Sequence, residues 1–583
     1  MYVLRLFIYF YNIVAKVFIN SIYTIIDKMA VTVDRGDDGF EGLPAMTAVY
    51  LAVIEDSGVA DILRRRCKER DLELASKGVL TRAAKVDETV AFKAFTGTYM
   101  TNGQRYPLYE VRRFYSSAPT DVMFGPKVLP RSLSDTNLAA MLDRFMTLDT
   151  EAFVLDTARA VSAYFGLKGS DDLFFDGTDV DFDGLAREDQ AGEGVAVMRL
   201  SGKCKSKKTG LLHKEVMHVC DGNGVGYYIR PFDGATADAE MDLAAIGSLK
   251  GVMDPGRTII SGDCKMCDAR ILRTLDEGGI AFVTKVPRRF SDGLREKIRA
   301  SALGGPVDES SDHPGRCFYD THGIVTDGKG DPIADLRLIA FRLPNGIHRA
   351  EKYIRNQGLN KVRKALKRVW HQRFHSEEEA RAAAEEALAS ADADAYEATL
   401  EYGVDPKAPE GGPRHMVRVL DVRVVEERVR TAAENYSVEV LITNIPFATV
   451  DAAIPRRGMT SDSVIGRYLA QAVVEKRFRM MKTCHGMAHV FIHTPVRQDA
   501  MIVMDGICTS IQSAMDARFK LRHKVGNRHL TVERLYDELV SSRVGFDREE
   551  GRIYLSGDPE SRRLFFEAVD MLGVDLAKAF PYA

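Results

Sequence analysis

At Asp171 the residue pattern of the chain changes, and that change limits the folds open to it. Residues 43–165 carry helical periodicity, as in Val59–Ala75 and in SLSDTNLAAMLDRFMTLDTEAFVLDTARAVSAYFG, where Ser132 or Ser134 is placed to cap the first turn. From Asp171 the runs become short and β-rich, bounded by Gly and Asp: DLFFDGTDVDF, HKEVMHVCDGNGVGYYIRPFDG with its Asp-Gly-Asn-Gly turn, TIISGD and AFVTKV. A helical segment, Ala269–Glu277, lies between the last two. Strand, hairpin, strand, helix and strand in that order predict a mixed α/β sheet.

Pro287 to about Asn435 interrupts this order. A Gly/Pro/Asp-rich stretch leads into Lys/Arg- and Ala/Glu-rich helices, Asn360–Arg373 and Ser376–Tyr402, and then the loop DPKAPEGGPRH. The composition reads as an insertion rather than part of the same sheet. YSVEVLITNIP restores a strand, and SVIGRYLAQAVVEKRFRMMK follows as a helix with no Gly or Pro after Gly466. Six segments result: a hydrophobic extension and linker outside the fold over 1–42, a helical domain over 43–165, core segments over 166–286 and 436–535 flanking the 287–435 insertion, and a C-terminal tail over 536–583.

That last helix gathers unusual chemistry. At about 100° per residue, Tyr468, Gln471, Glu475 and Lys482 fall within roughly 60° of one another, beside an apolar face of Leu469, Val473 and Met480. A solvated stripe on an amphipathic helix accounts for it equally well, until the upstream acids are added. Asp176 ends the apolar run Phe174-Phe175, and Asp263 ends Thr258–Gly262. Turn chemistry explains either acid taken singly. Three carboxylates from two strands and a helix instead form an oxygen-donor set suited to Mg²⁺ or Mn²⁺, and paired ions of this kind promote phosphodiester cleavage and transfer. Asp179, Asp181 and Asp183 leave the choice of first ligand open between Asp176 and its neighbours.

The order Asp176, Asp263, Tyr468-x2-Gln471-x3-Glu475-x6-Lys482 resembles the DDE transposases of bacterial and archaeal insertion sequences. The likeness is to the superfamily numbered four, marked by Y-x2-R-x3-E-x6-K, in its larger-transposase branch. FFDGTDVDF resembles its D-x-T strand, GKCKSKK its G-x-S-K segment, DGNGVGYYIRPFDGATAD the hairpin before Asp238, and LITNIP its Thr-Asn strand. SLSDTNLAAMLDRF and HVFIHTPVRQDAMIVMDGICTSI resemble the flanking helices, so the likeness runs collinearly over roughly residues 45–535. It implies an RNase H-like core, with an insertion before the glutamate and a helical domain that binds DNA ends. Asp176, Asp263 and Glu475 would be catalytic and bind the metal, while Tyr468, Lys482 and the residue at the Arg position would contact DNA near the scissile phosphate. The implied partners are double-stranded DNA, as terminal inverted repeats and target, and a second copy in a synaptic dimer; the implied location is a cytoplasmic nucleoid.

Departures stand beside the match. Gln471 replaces the family's Arg, losing a charge and a bidentate phosphate fork. Cys264-Lys265 replaces Arg-Gly after Asp263, and Ala235 the usual Asn. A divergent member with impaired activity is expected. A nuclease without strand transfer, and a decayed copy that only binds DNA, are the competing readings. Trp370, the only tryptophan, lies in the basic helix Lys361–Arg373, where burial on the helix's own apolar face competes with stacking on an unpaired base. His485 and His489 are expected to be ordinary surface or core histidines.

Composition sets the outer bounds. With 583 residues, 45% hydrophobic and 28% charged, the chain is an ordinary globular protein of two to four domains. A net charge of −3 argues against coating nucleic acid by bulk charge and leaves room for local basic grooves at Arg64–Lys68, Lys203–Lys208, Lys361–Arg373 and Arg518–His529. Eight irregularly spaced cysteines fit a reducing cytoplasm rather than a disulfide framework, and no second pair accompanies Cys264/Cys267 at zinc-site spacing. Leu6–Ile26 has the length of a membrane span, but Asn12, Lys16 and Asn20 interrupt it and no cleavage site follows.

Overall fold

The computed structural model describes residues 31–33, 42–79, 84–101, 106–169, 171–182, 199–200, 212–288, 290–291, 293–391, 393–409, 411–447, 458–487, 489–490, 492–523 and 530–583. The GKCKSKK segment, Asp183 and the apolar N-terminal run lie outside them, as does part of the Arg518–His529 cluster. The fold is mixed α/β and divides into two units, 1–253 with 470–583, and 254–469. No described helix is long and apolar enough to cross a membrane.

In the first unit, helices Ala45–Asp56, Val59–Ser76, Glu88–Gly97, Asp135–Phe145 and Thr150–Tyr164 share one apolar core with the long helix Pro495–Arg522. Ser134 is the residue that caps: its Oγ accepts from Asn137 N at 3.4 Å. The strand Asp172–Phe182 pairs antiparallel with Leu212–Asp221, which pairs antiparallel with Gly226–Phe232. At the hairpin turn Asp221 Oδ1 accepts from Asn223 N and Val225 N, each at 2.9 Å. Gly224 sits there at φ +79°, where a Cβ would come within 2.7 Å of Arg477 Nε.

The ends of the chain differ from expectation. Val31–Val33 is a strand parallel to Arg552–Leu555, which is paired antiparallel with Arg543–Asp547. The 1–42 segment therefore contributes to the fold. Residues 536–583 are no tail either: Pro559–Leu572 packs into the main core through Leu564, Phe565 and Leu572.

In the second unit Ile259–Gly262 runs parallel to Ala281–Lys285, which pairs antiparallel with Glu439–Thr443, and that strand with Pro332–Arg342. Pro332–Arg342 lies inside the stretch read as an insertion outside the sheet. Its buried run Leu336–Phe341 makes it a core strand instead. The remainder of that stretch forms its own small core, with helices Leu359–Trp370 and Glu377–Leu388 against the hairpin Tyr396–Val404/His415–Val424. The expected helix Ser376–Tyr402 thus ends at Leu388, and Tyr396, Ala398, Leu400 and Tyr402 alternate as strand residues facing that core.

Candidate functional site

Asp176 occupies the middle of the strand Asp172–Phe182, half-buried, with its Oδ1 accepting from Gly177 N at 2.9 Å. The pairing with Leu212–Asp221 runs without a register shift, so strand alternation puts Asp176 on the face of Phe174 and Asp179 on the other. Phe174 packs with Val474, Phe478 and Met481 of the glutamate-bearing segment. Val474 and Phe478 are one helical turn apart and hold the helix on the sheet, while Glu475, next along, is exposed at its flank. Asp176 is therefore the acid that shares a sheet face with the Glu475 helix. Asp179, buried, is already paired with Lys482: Nζ to Oδ1 is 3.1 Å.

The single helix expected over 463–482 is two. Ser461–Leu469 ends, a turn at Ala470–Gln471 follows, and Ala472–Arg479 begins a new helix that passes into a π-helical segment, Met480–Cys484. The four-residue stripe does not survive this break. Tyr468 leans half-buried on the core of the second unit, beside Val464 and Ile465. Gln471 is buried at the start of the Glu475 helix, so the neutral residue at the family's Arg position is not presented to solvent. The π turn shifts the phase that would have aligned Lys482 with Glu475.

Asp263 follows the carboxyl end of the strand Ile259–Gly262, half-buried, with Oδ1 accepting from Lys265 N at 2.8 Å and its carbonyl from Thr284 Oγ1 at 2.6 Å. Carboxyl ends of parallel strands are where α/β sheets expose binding groups. The Thr443-Asn444 pair has a structural role. Thr443 Oγ1 donates to Phe282 O, while Asn444 accepts from Phe282 N at 3.0 Å and donates to Ile280 O at 3.0 Å. Nearby, burial pushes the Cys264 and Cys267 thiols up, away from the thiolate form that binds metal.

Trp370 is exposed: Val362, Leu366 and Val369 are the residues that bury that helix, and Trp370 lies off their face, stacked beside His371. His485 is a core histidine, its Nδ1 against Asp505 and its Nε2 3.0 Å from Gln512 Oε1.

His218, which sequence alone did not single out, stands opposite Asp176 in the strand pairing and against the Phe478 ring at 5.8 Å. It is fully buried, and neither ring nitrogen has a hydrogen-bond partner among the described residues. Burial, and then the Arg477 charge, push its pKa down to about 3. The folded state therefore refuses a proton that the unfolded chain accepts near pH 6.5, so stability is complete above that pH and falls as pH drops toward 3. Between pH 6.5 and 5 this residue is expected to cost about 2 kcal/mol. Urea unfolding at pH 7 and pH 5 checks it: His218→Leu should flatten the difference, and an unchanged slope would refute the assignment.

The donor chemistry of Asp176, Asp263 and Glu475 suits a hard divalent cation. Among the described residues, no group of three or more His, Cys, Asp or Glu side chains lies close enough together to hold one. Compared with known proteins, the chain matches no family model and no curated sequence.

Proposed function

We propose that the chain is a divergent DDE-type transposase that cuts and joins DNA at the ends of an insertion sequence, with an RNase H-like core. The observation that carries the reading is the packing of the Glu475 helix on the Asp176 face of its strand, through Phe174, Val474 and Phe478. The chain order adds support: three consecutive antiparallel strands, the first bearing Asp176, precede a parallel pair whose first member ends at Asp263.

In this reading Asp176, Asp263 and Glu475 hold Mg²⁺ or Mn²⁺. The bound ion supplies activation of the attacking oxygen and charge stabilisation of the leaving one. Tyr468 and Lys482 contact the DNA backbone, Lys482 after leaving Asp179. Gln471, buried and neutral, contributes no phosphate fork, and Trp370 offers an exposed ring for an unpaired base. DNA ends and a second copy of the chain are the partners.

The test is incubation of the protein with Mg²⁺ or Mn²⁺ and duplex DNA carrying the flanking inverted repeats. Cleavage and joining at the repeat ends should fall roughly 100-fold or more in Asp176→Asn, Asp263→Asn and Glu475→Gln. Cutting without joining would replace the proposal with a nuclease. Binding without cutting, indifferent to all three substitutions, would remove both enzymatic readings.

A further inference from the structure

The second unit contains a cavity of about 270 Å³ that has no part in the catalytic reading. Five cations line it, Lys285, Arg288, Arg295, Arg299 and Lys361, against one carboxylate, Glu439. They arrive from separate elements: Lys285 ends a core strand, Arg295 and Arg299 lie one turn apart on the helix Leu294–Gly304, and Lys361 comes from the helix Leu359–Trp370. Arg295 and Arg299 are only 9% and 7% exposed, so their charges are fixed inside the fold.

Glu439 is matched by Lys285 at 2.5 Å. Arg299 Nε and Arg288 Nη1 donate to backbone carbonyls, Val438 O at 2.8 Å and Ala389 O at 2.5 Å, which orient the guanidinium groups without cancelling their charge. Ser390 also lines the cavity, and its hydroxyl oxygen is buried with no hydrogen-bond partner among the described residues. Clustered cations of this kind repel one another unless an anion enters, and a spare hydroxyl gives that anion a neutral donor.

We infer that this cavity binds a phosphate-bearing anion, through Arg288, Arg295, Arg299, Lys361 and Ser390. Guanidinium forks match phosphoryl oxygens, and a doubly or more highly charged group answers the excess of cations better than a single carboxylate does. The volume falls just below the roughly 300–1,000 Å³ of pockets that enclose drug-sized ligands, so it fits one or two phosphoryl groups rather than an entire nucleotide. Those groups are either a free small phosphate or phosphates of a nucleic-acid backbone.

Thermal unfolding of the full chain with inorganic pyrophosphate is the experiment, run with and without a short duplex lacking any terminal repeat. Pyrophosphate should raise the melting temperature saturably. Lys361→Glu, at an exposed position, should weaken that binding roughly tenfold or more, with Lys361→Arg restoring it and Arg288→Ala weakening it independently. If pyrophosphate also displaces the duplex and Lys361→Glu weakens both, the anion is backbone phosphate; if it binds without displacing DNA, the anion is a free phosphate. No saturable stabilisation, or one unchanged in Lys361→Glu, overturns the inference. Glu475→Gln leaves the expected result unaltered, so failure of the catalytic proposal and failure of this one are separable.

Discussion

Asp499→Ala is expected to destabilise the first unit by about 3–5 kcal/mol, the cost typical of leaving one member of a buried ion pair behind. Lys214 is 0% exposed and Asp499 2%, with Nζ 2.5 Å from Oδ1 and 3.1 Å from Pro495 O. The lysine stands opposite Val180 in the pairing of the Asp176 strand, and the aspartate lies in the opening turns of the long helix Pro495–Arg522. The pair therefore fastens that helix to the sheet on which the Glu475 helix rests. Burial already pushes the Lys214 pKa down, with Asp499 opposing the fall. Without the aspartate the ammonium loses the partner that keeps it charged, and the unfolding penalty should shrink as pH rises and the amine deprotonates. The double variant Lys214→Met/Asp499→Leu should lie much closer to wild type than either single change, because no unpaired charge remains. Urea unfolding of the three variants decides the matter; a single-variant loss below about 1 kcal/mol would place the pair among weak, solvated contacts.

That pair also shows where sequence reading stops. On a long helix, Gln498, Asp499, Asp505 and Gln512 look like solvent-facing positions, yet all four are buried because helices and sheet enclose this one from several sides. Polarity then marks internal hydrogen bonding, and partners such as Lys214 or His485 are hundreds or tens of residues away, beyond the reach of any local pattern. Local signals fared better. Alternation and turn residues located the Asp176 strand and its hairpin, and the Ser134 cap followed from the residue type alone. The break at Ala470–Gln471 carries no Gly or Pro to announce it. It arises where the chain leaves one unit for the other, so tertiary demand overrides a sequence that suits a continuous helix. The strand Pro332–Arg342 was hidden by the Gly/Pro/Asp-rich sequence before it, and Tyr396–Val404 by the Ala/Glu-rich helix that precedes it. Of the site itself, the acids were legible as strand-end residues. The burial of Gln471 and the Lys482–Asp179 pair required the fold.

Arg337→Met is expected to cost the second unit a similar 3–5 kcal/mol and to loosen the start of the Tyr468 helix first. The guanidinium is 3% exposed and engages Asp320 through Nε at 3.1 and 3.0 Å and through Nη2 at 2.6 Å. The same group donates to Ser461 Oγ at 2.9 Å and to Met459 O at 2.8 Å, and Phe447 lies over it at 4.1 Å. Ser461 opens the helix Ser461–Leu469, and its hydroxyl donates to Asp320 as well. Strand, aspartate and helix start are thus joined through one side chain, and an uncharged methionine leaves Asp320 buried without its cation. Lysine keeps the charge but lacks the planar fork, so Arg337→Lys should recover only part of the loss. Because the two units need not unfold together, a single melting curve is a poor readout. Hydrogen exchange followed by mass spectrometry is the better one: amides over residues 459–469 should lose protection in Arg337→Met before the core strands Ala281–Lys285 and Glu439–Thr443 do. Uniform loss across the second unit would mean that Arg337 contributes general stability and does not specifically anchor the segment that carries Tyr468.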